Sequence, residues 1–353
     1  MRAYRLLDWG RPPELVEIPE PEVPPGGAIV RIAGCGLCHS DLTMMSMPGE
    51  IGDALDWRVP FTLGHESAGW VEALGRDVPA GAAVAVGEPV AVMSPTVCGV
   101  CEECRRGNDR GCRQGLVGRG YGRDGGLAEL LAVERVADLV PLGGFDPASA
   151  GPLTDAGATS YHAVDRVVGV LERGCAGRQG VAVVIGVGGL GSFCVQLLRL
   201  RTDALVVAVE PDATRRERAG ELGADVVLGR FDAAAVAELS GGLGADAVLD
   251  VVGTDETIAA GVGSLRTEGA FVLVGSGGGS LAGPWFDRLP RGATVSRIQG
   301  SGRRDVEGVA ALAADGRLRV DVEPFSLDDV AEAYRRLDAG TLGGRAVVRP
   351  VRP

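Results

Sequence analysis

An alternation of apolar, strand-like runs with helix-like stretches, beginning near residue 156, constrains the fold of this chain more than any other sequence feature. The runs consist mainly of branched residues and have the length of buried strands. Parallel strands need crossover helices, which cover both faces of their sheet. The pattern therefore predicts an α/β domain with a doubly wound parallel sheet. The predicted strands are Val181–Ile185, Leu205–Val209, Ala247–Val252 and Ala270–Val274, and the predicted helices are Leu190–Leu200, Thr214–Leu222, Ala233–Ser240 and Glu256–Leu265.

The chain on either side of this region has a different pattern. Short apolar runs in the first 155 residues are interrupted by Gly and Pro, which predicts a β-rich, irregular segment. A length of 353 residues is typical of two domains. After residue 291 we predict a strand, two helices and a closing strand, which are Ala293–Ile298, Asp305–Ala314, Asp328–Ala339 and Arg345–Arg349.

Composition and charge exclude several classes of function. The net charge is −12, and the 35 basic residues, all of them Arg, form no long basic stripe, so we expect no nucleic-acid partner. The lack of Lys excludes Schiff-base chemistry. No apolar run reaches the length of a transmembrane helix and no signal peptide is recognisable, so we expect a soluble, cytoplasmic protein without a membrane partner. In a reducing compartment the eight Cys are expected to be metal ligands or buried thiols rather than disulfides.

Four cysteines form a closely spaced cluster with the pattern C-x2-C-x2-C-x7-C. Four thiolates at this spacing can surround one tetrahedral Zn²⁺ and leave no open position for a substrate. The pattern therefore predicts a structural zinc lobe at about residues 94–114, and the alternative is a redox or disulfide cluster. Arginines in the same loop could offset the negative charge of the thiolates. The cysteines are Cys98, Cys101, Cys104 and Cys112, and the arginines are Arg105, Arg106, Arg110 and Arg113.

A second group of metal-ligand types is spread more widely along the chain. Cys38 lies in GCGLCHSD, and His65 and Glu66 lie in TLGHESAG. A catalytic zinc needs about three protein ligands and one open position. Asp155, in GPLTDAGATSYHA, is the candidate for the third ligand. One thiolate, one carboxylate and one neutral imidazole would nearly neutralise Zn²⁺, which could then bind an alcohol or carbonyl oxygen.

A glycine-rich turn follows the first strand of the α/β region. Its fingerprint, Gly186-x-Gly188-x-x-Gly191, opens a helix whose N-terminus can bind a pyrophosphate. The second strand ends at Glu210, whose carboxylate can bind a ribose diol and would repel a 2′-phosphate. This favours NAD over NADP as the cofactor. Arg215 and Arg216 follow closely and would suit such a phosphate, so the sequence leaves NADP open.

Taken together, GCGLCHSD, TLGHE, the four-cysteine lobe, GVGGLG and the closing GGRAVV resemble the zinc-dependent alcohol dehydrogenases of the medium-chain dehydrogenase/reductase family. The resemblance extends over essentially the whole chain. It implies a GroES-like, β-rich catalytic domain from residues 1–155 and 292–353, interrupted by a Rossmann domain from residues 156–291 that binds NAD. It also implies an active site in the cleft between the two domains, with two Zn²⁺ per chain.

The resemblance implies a role for each residue of the catalytic metal site. Cys38, His65 and Asp155 resemble the zinc ligands, and the aspartate occurs in a subset that includes some bacterial secondary-alcohol dehydrogenases. Glu66 resembles an acidic neighbour that can become a transient fourth ligand. Asp41 resembles a carboxylate that orients the ligand histidine.

The family's proton relay is only partly present in this sequence. Ser40 resembles the hydroxyl that binds the substrate alcohol and begins the relay. Some members carry a relay histidine three residues later, where this chain has Thr43. We therefore expect the proton to leave through Thr43, the ribose hydroxyls or water.

Cofactor contacts are implied at several further positions. His39 and Arg345 resemble residues that contact the pyrophosphate, and Arg215 resembles one that contacts the adenosine ribose in members that use NAD. The complete set of expected cofactor contacts is His39, Gly186, Gly188, Gly189, Leu190, Gly191, Glu210, Arg215, Val252, Val274 and Arg345.

The remaining notable side chains have ordinary interpretations. His162 is expected to be a packing or surface residue. The methionines and the tryptophan between the Cys38 and His65 motifs are expected to face substrate, with a core position as the alternative. Those residues are Met44, Met45, Met47 and Trp57, and the residues expected to be ordinary thiols are Cys35, Cys175 and Cys194.

The function expected from the sequence is hydride transfer between NAD(H) and a small secondary alcohol or ketone, catalysed by a zinc alcohol dehydrogenase. One alternative is a specialised family member that acts on a polyol, a sugar-like alcohol or an imine. Another is a redox-inactive regulatory protein that binds NAD and zinc. The segment Ala293–Ile298 resembles the family's edge strand, which predicts a homodimer or homotetramer.

Overall fold

The computed structural model describes residues 1–114, 116–173 and 178–350. Cys175 therefore lies outside the described residues. The chain forms two compact units, one from Met1–Ala158 together with the chain from Ser301 onward, and the other from Thr159–Gly300. Among the described residues, no helix combines the length and the apolar character that a membrane span requires.

The chain up to Ala158 consists mainly of short strands joined by turns. The strands are β1 (Arg2–Leu6), β2 (Glu14–Glu17), β3 (Ala28–Gly36), β4 (Phe61–Thr62), β5 (Glu66–Leu74), β6 (Pro89–Val92), β7 (Gly118–Arg119), β8 (Gly122–Arg123), β9 (Leu130–Val133) and β10 (Leu139–Pro141). The helices are α1 (His39–Met45), α2 (Gly49–Ala54), α3 (Glu102–Arg105) and α4 (Pro147–Ala150), followed by α5 (Ala156–Arg173), which leads into the second unit.

The second unit contains a six-stranded, fully parallel sheet. Its strands are β11 (Val181–Ile185), β12 (Leu205–Val209), β13 (Val226–Leu228), β14 (Ala245–Asp250), β15 (Leu265–Leu273) and β16 (Thr294–Arg297). Its further helices are α6 (Gly191–Arg201), α7 (Ala213–Glu221), α8 (Ala233–Leu239), α9 (Asp255–Gly263) and α10 (Trp285–Arg288). The strand order β13-β12-β11-β14-β15-β16 confirms the predicted doubly wound Rossmann sheet.

Burial explains which strands the sequence predicts well. The central strands β11 and β14 are buried along their whole length, so their apolar runs are continuous. The predicted bounds of β11 and β12 agree with the structure, whereas β14 and β15 begin earlier than predicted. Strand β13 was not predicted, because its three residues are half-buried at one edge of the sheet and give only a weak pattern.

The last part of the chain returns to the first unit and completes its main sheet. It contains α11 (Arg303–Ala314), β17 (Val322–Ser326), α12 (Val330–Asp338) and β18 (Arg345–Arg349). The main sheet has the order β10-β6-β5-β3-β18-β17, with β9 also paired to β3. Strand β18 pairs antiparallel with β3, which brings the C-terminal strand next to the segment that precedes Cys38.

The second boundary between the units differs from the predicted one. We assigned residues 292–300 to the GroES-like domain, but β16 lies in this segment and hydrogen-bonds in parallel to β15. The segment therefore belongs to the second unit, which ends at Gly300. Strand β16 is the last strand of its sheet, so its outer edge lies at the border of that sheet, as expected for the family's edge strand.

The glycine turn lies where the strand order of the parallel sheet reverses. Strand β11 pairs with β12 on one side and with β14 on the other, and α6 begins directly after the turn. In open α/β sheets, ligands bind at the carboxyl ends of the strands at such a switch point. Gly191 is the first residue of α6, and a Cβ atom there would lie 1.8 Å from the carbonyl oxygen of Gly186.

This close approach predicts that Gly191→Ala strains the turn. We expect the free energy of unfolding to fall by about 1–3 kcal/mol, as for other overpacked sites. Gly220→Ala is the matched control, because Gly220 lies in α7 with no atom within 4 Å of its Cβ position. It should leave stability unchanged or raise it by about 0.5–1 kcal/mol. Denaturant unfolding measures both changes, and equal stabilities for the two variants would contradict this account of the turn.

Candidate metal centres and nucleotide-binding turn

Four potential metal ligands from distant parts of the sequence come together in the first unit. Cys38 is the N-cap residue of α1, His65 and Glu66 lie at the start of β5, and Asp155 precedes α5. Gly64, with φ of +93°, provides the left-handed turn that directs His65 into this group. One ligand atom from each of the four side chains lies within 4.8 Å of the others.

The spacing of these atoms fits a tetrahedral metal ion. Oδ2 of Asp155 lies 3.6 Å from Sγ of Cys38 and 3.6 Å from Nε2 of His65. In a zinc site with bond lengths of about 2.0–2.3 Å, neighbouring ligand atoms are about 3.3–3.8 Å apart. One sulfur, one nitrogen and one carboxylate oxygen are also donor types that zinc accepts. The donor set therefore suits the zinc ion implied by the sequence.

His65 and Asp155 shift the pKa of one another in opposite directions. Burial opposes protonation of His65, but the charge of Asp41 and hydrogen bonds to Asp155, Asp41 and Cys38 raise its pKa well above 6.5. Burial would raise the pKa of Asp155, yet the hydrogen bond and charge of His65 hold that pKa well below its usual range. The two shifts favour an imidazolium beside a carboxylate. A metal ion at Nε2 of His65 competes with a proton for that nitrogen, so metal affinity should rise with pH.

Asp41 contacts two of the four potential ligand residues. Its Oδ1 lies 2.9 Å from Nδ1 of His65, and its Oδ2 accepts a hydrogen bond of 3.0 Å from the backbone N–H of Cys38. The side chain is fully buried. A carboxylate at Nδ1 leaves Nε2 as the metal-binding nitrogen, which agrees with the predicted orienting role of Asp41.

Glu66 and Arg345 form a buried ion pair beside the ligand group. The Arg345 guanidinium donates to both carboxylate oxygens of Glu66, with Nε 3.2 Å from Oε2. Burial raises the pKa of Glu66 to about 7 despite the charge of Arg345. Sequence reasoning assigned Arg345 to a cofactor pyrophosphate, and it did not foresee the pairing with Glu66. A contact to pyrophosphate remains a prediction.

Ser40 is the predicted relay residue nearest to the ligand atoms. Its Oγ lies 3.4 Å from Nε2 of His65, and the residue is exposed in the first turn of α1. His39 and Thr43 are also exposed on this helix. A hydroxyl next to the ligand group and open to solvent can accept a proton from a bound alcohol and pass it outward.

Sequence reasoning missed two tyrosines around the site. The ring of Tyr121 packs edge-on against His65, with 6.1 Å between the centroids, and lies 5.8 Å from the ring of Trp57. Tyr334 reaches Asp41 from the C-terminal segment. No motif identifies either residue, because a tyrosine in a turn or on an amphipathic helix has the pattern of ordinary core.

Among the side chains expected to face substrate, Met44 is buried and Met45 packs against the core of the first unit. Trp57 is buried, and its Nε1–H donates to the carbonyl oxygen of Leu116. Its ring lies next to Tyr121, which itself contacts His65. The tryptophan is therefore one aromatic ring away from the ligand group.

The four lobe cysteines also come together as a possible metal site. Their sulfur atoms lie within 4.8 Å of one another, with Sγ of Cys104 3.5 Å from Cys101 and 3.9 Å from Cys98. Backbone N–H groups point at the sulfurs, including that of Cys101 at 3.3 Å from Sγ of Cys98. Backbone N–H donors lower the pKa of Cys101 to about 6, which favours the thiolate that a metal needs. All seven described cysteines are free of disulfides.

Two of the arginines expected to offset the thiolate charge have other partners. Arg106 pairs with Glu103, and Arg110 lies 3.5 Å from Asp305 in α11. Asp109 accepts a hydrogen bond from the backbone N–H of Arg303 at the start of the same helix. These contacts attach the lobe to α11 within the first unit.

The glycine turn of the second unit follows the predicted strand–turn–helix pattern. Gly186, Gly188 and Gly189 form the turn after β11, and Leu190 is the N-cap residue of α6. A Cβ atom at Gly188 would meet open space, which leaves room for a phosphate. The exposed N–H groups at the start of α6 can bind such an anion.

Glu210 lies at the end of β12 and is buried. Its Oε2 accepts a hydrogen bond of 2.8 Å from the backbone N–H of Val187, and its Oε1 accepts one of 3.0 Å from Asp212. The carboxylate therefore reaches the glycine turn itself. Arg216 donates to the carbonyl oxygens of Glu210 and Pro211.

The other predicted cofactor residues lie near the carboxyl ends of the sheet strands. Val252 follows β14, and its side chain is adjacent to Gly186. Val274 follows β15 and donates its N–H to the carbonyl oxygen of Asp250. Arg215 lies in the first turn of α7.

His162 is buried in α5, with its Nε2 3.4 Å from the Arg166 guanidinium, as expected for a packing histidine.

Two family models match this chain. The model described as the alcohol dehydrogenase GroES-like domain matches residues 24–143. The model described as the zinc-binding dehydrogenase matches residues 189–315. The two matches correspond to the β-rich part and to most of the parallel sheet.

Similar proteins match over nearly the full chain. A D-arabinose 1-dehydrogenase (NADP(+)) from Saccharolobus solfataricus is 32% identical over 99% of this chain and 97% of its own length. An NAD-dependent alcohol dehydrogenase from Sulfurisphaera tokodaii is 31% identical over 99% of this chain and 100% of its own. The crystal structure of the alcohol dehydrogenase from the hyperthermophilic archaeon Aeropyrum pernix has a TM-score of 0.87 and 31% identity, covering 99% of this chain and 100% of that one.

The two ligand clusters predict two zinc ions per chain with different roles. Cys104→Ala should remove one ion and destabilise the protein, since a structural zinc contributes ~10 kcal/mol to folding in zinc-finger peptides. Asp155→Ala should remove the other ion while the fold is retained. Elemental analysis combined with thermal unfolding measures both effects. One zinc or none in freshly purified protein, or a fully stable but inactive Cys104→Ala variant, would contradict these assignments.

Proposed function

Because the chain belongs to the family of GroES-like, zinc-binding alcohol dehydrogenases, we propose that it transfers a hydride between NAD(H) and a secondary alcohol or its ketone. The chain is an oxidoreductase. The observation that carries the proposal is the convergence of Cys38, His65 and Asp155 within zinc-ligand distance, with the Ser40 hydroxyl 3.4 Å from Nε2 of His65. A protein that only bound zinc would not need an exposed hydroxyl beside an incomplete ligand set.

The residues of the site have complementary tasks. Cys38, His65 and Asp155 would hold the catalytic zinc, and the four lobe cysteines a structural zinc. When bound, the catalytic zinc supplies a Lewis acid for the substrate oxygen, and the nicotinamide accepts or donates the hydride. Two anionic ligands and a neutral imidazole match the charge of the ion, so the substrate site stays close to neutral.

Ser40 manages the substrate proton in this proposal. Its hydroxyl accepts the proton of the alcohol and passes it to the exposed side of α1, where solvent is available. Thr43 lies one helical turn further on, and it has a hydroxyl instead of a basic imidazole. The relay of this chain is therefore made of hydroxyls and water.

Most of the proposed cofactor contacts lie in the second unit. The start of α6 binds the pyrophosphate, and Glu210 selects the unmodified ribose of NAD over the 2′-phosphate of NADP. The buried position of its carboxylate, next to the N–H of Val187, supports this choice, because a phosphate there would meet a fixed negative charge. Arg215 contacts the adenosine ribose, and His39 and Arg345 contact the pyrophosphate.

A second candidate function is oxidation of a sugar-like alcohol. It is favoured by the similarity to the D-arabinose 1-dehydrogenase and by the polar residues of the loop around α2, which include Glu50, Asp53 and Arg58. The aromatic pair of Trp57 and Tyr121 beside His65 instead favours a less polar substrate. We retain the secondary alcohol as the first candidate.

The proposal also covers the oligomeric state of the protein and its location in the cell. The edge strand β16 pairs with its equivalent in a second subunit, which yields a homodimer or a tetramer of dimers. The metal-binding role of the thiols is suited to the reducing cytoplasm.

A substrate panel tests the proposal directly. Zinc-loaded protein should oxidise NADH when small ketones are supplied, which the near-ultraviolet absorbance of NADH measures. Its kcat/KM should be higher with NADH than with NADPH. The reverse reaction should proceed with secondary alcohols. A higher kcat/KM for pentoses would establish the second candidate, and no turnover with any substrate would favour a regulatory protein.

Ser40→Ala should separate proton transfer from metal binding. The variant should keep both zinc ions and bind NADH normally, yet lose about 10²–10⁴-fold in kcat, the usual contribution of a positioned proton donor or acceptor. Ser46→Ala is the matched control, because Ser46 lies at the other end of α1. Its hydroxyl donates to the backbone carbonyl oxygens of Leu42 and Thr43 in that helix. Normal kcat in the Ser40 variant would rule out this residue as the start of the relay.

A further inference from the structure

A tyrosine from the C-terminal part of the chain reaches the carboxylate that holds two metal ligands. The hydroxyl of Tyr334 donates a hydrogen bond of 3.0 Å to Oδ2 of Asp41. The same oxygen accepts the backbone N–H of Cys38, while Oδ1 faces Nδ1 of His65 at 2.9 Å. Three groups therefore meet at one buried carboxylate, and Tyr334 is far from the other two in sequence.

Packing fixes the Tyr334 hydroxyl in this position. Tyr334 is buried in α12, which packs against α1. Its ring stacks on Tyr4, with 6.1 Å between the centroids and 24° between the ring planes. A buried ring in such a stack has little freedom, so its hydroxyl is a well-positioned donor for the buried carboxylate of Asp41.

We propose that Tyr334 is a positioning residue for the catalytic metal site, which acts through Asp41 to keep Cys38 and His65 in their metal-binding orientation. This rests on the proposed function, in which Cys38, His65 and Asp155 hold a zinc ion. The hydroxyl of Tyr334 bonds to Asp41, so its effect is on how tightly the site holds the ion.

The physical reason lies in the two hydrogen bonds to Oδ2. With both donors present, the plane of the Asp41 carboxylate is fixed, and Oδ1 is directed at Nδ1 of His65. Without the tyrosine hydroxyl, one donor remains and the carboxylate can turn about its Cβ–Cγ bond. The His65 ring then loses its fixed partner. Groups of this kind around a zinc ligand typically contribute 10–100-fold, or about 1.4–2.7 kcal/mol, to metal affinity.

The test compares two tyrosine variants of the zinc-loaded protein. Tyr334→Phe removes the hydroxyl that contacts Asp41, and Tyr4→Phe removes a hydroxyl from the other ring of the same stack. Each variant is mixed with a chelating dye, and the release of each of the two zinc ions is followed over time. We expect the ion at the Cys38 site to leave about 10-fold faster from Tyr334→Phe than from the wild type. The ion held by the lobe cysteines should leave Tyr334→Phe at the wild-type rate. Both ions should leave Tyr4→Phe at the wild-type rate. Asp41→Asn should accelerate release of the same ion further.

Thermal unfolding and cobalt spectra distinguish positioning from general destabilisation. Tyr334→Phe and Tyr4→Phe should have similar Tm values, and cobalt bound at the Cys38 site should show altered thiolate absorption bands only in the Tyr334 variant. Wild-type release rates from Tyr334→Phe, or faster release of both ions together with a lower Tm, would overturn the positioning role. If Asp155→Ala retains both zinc ions, the proposed catalytic metal site itself is wrong.

Discussion

The candidate active site depends on the buried carboxylate of Asp41. Its two oxygens connect the backbone of Cys38, the ring of His65 and the hydroxyl of Tyr334, which come from three separate elements of the first unit. An isolated carboxylate in such surroundings would be costly to ionise. Its neighbours supply the hydrogen bonds and charge that stabilise it, and it in turn determines which nitrogen of His65 is free for a metal. The position of the metal ligands is thus a property of this network rather than of the ligands alone.

A second constraint is the charge balance around the ligand group. The charge of Asp41 and the hydrogen bond to Asp155 raise the pKa of His65, and the hydrogen bond and charge of His65 lower the pKa of Asp155. Glu66 adds a further carboxylate, and the Arg345 guanidinium compensates for it. A divalent cation bound between these side chains would replace the proton of His65 as the charge that compensates the anionic groups.

Much of this arrangement is predictable from the sequence, and the failures have identifiable causes. The lobe cysteines could be selected by their spacing and His65 by the scarcity of histidine, whereas the choice of Cys38 over Cys35 rested on the resemblance to the family. Strands β11 and β12 were predictable because buried parallel strands have continuous apolar runs. The pairing of Glu66 with Arg345 depends on the register between β18 and β3, which no local pattern encodes. Tyr334 was missed because its hydroxyl acts through tertiary contact, while its ring follows the periodicity of an ordinary amphipathic helix.

The order of the elements along the chain has a consequence for how the protein matures during synthesis. The lobe cysteines span residues 98–112, and the parallel sheet lies within the continuous segment Thr159–Gly300, so the residues of each lie close together in the chain. The candidate catalytic site also requires Tyr334 from α12 and Arg345 from β18, which follow the parallel sheet in the chain. During synthesis from the N-terminus, the lobe cysteines are thus all present before the candidate catalytic site can gain its complete surroundings, which needs β18 to join the sheet.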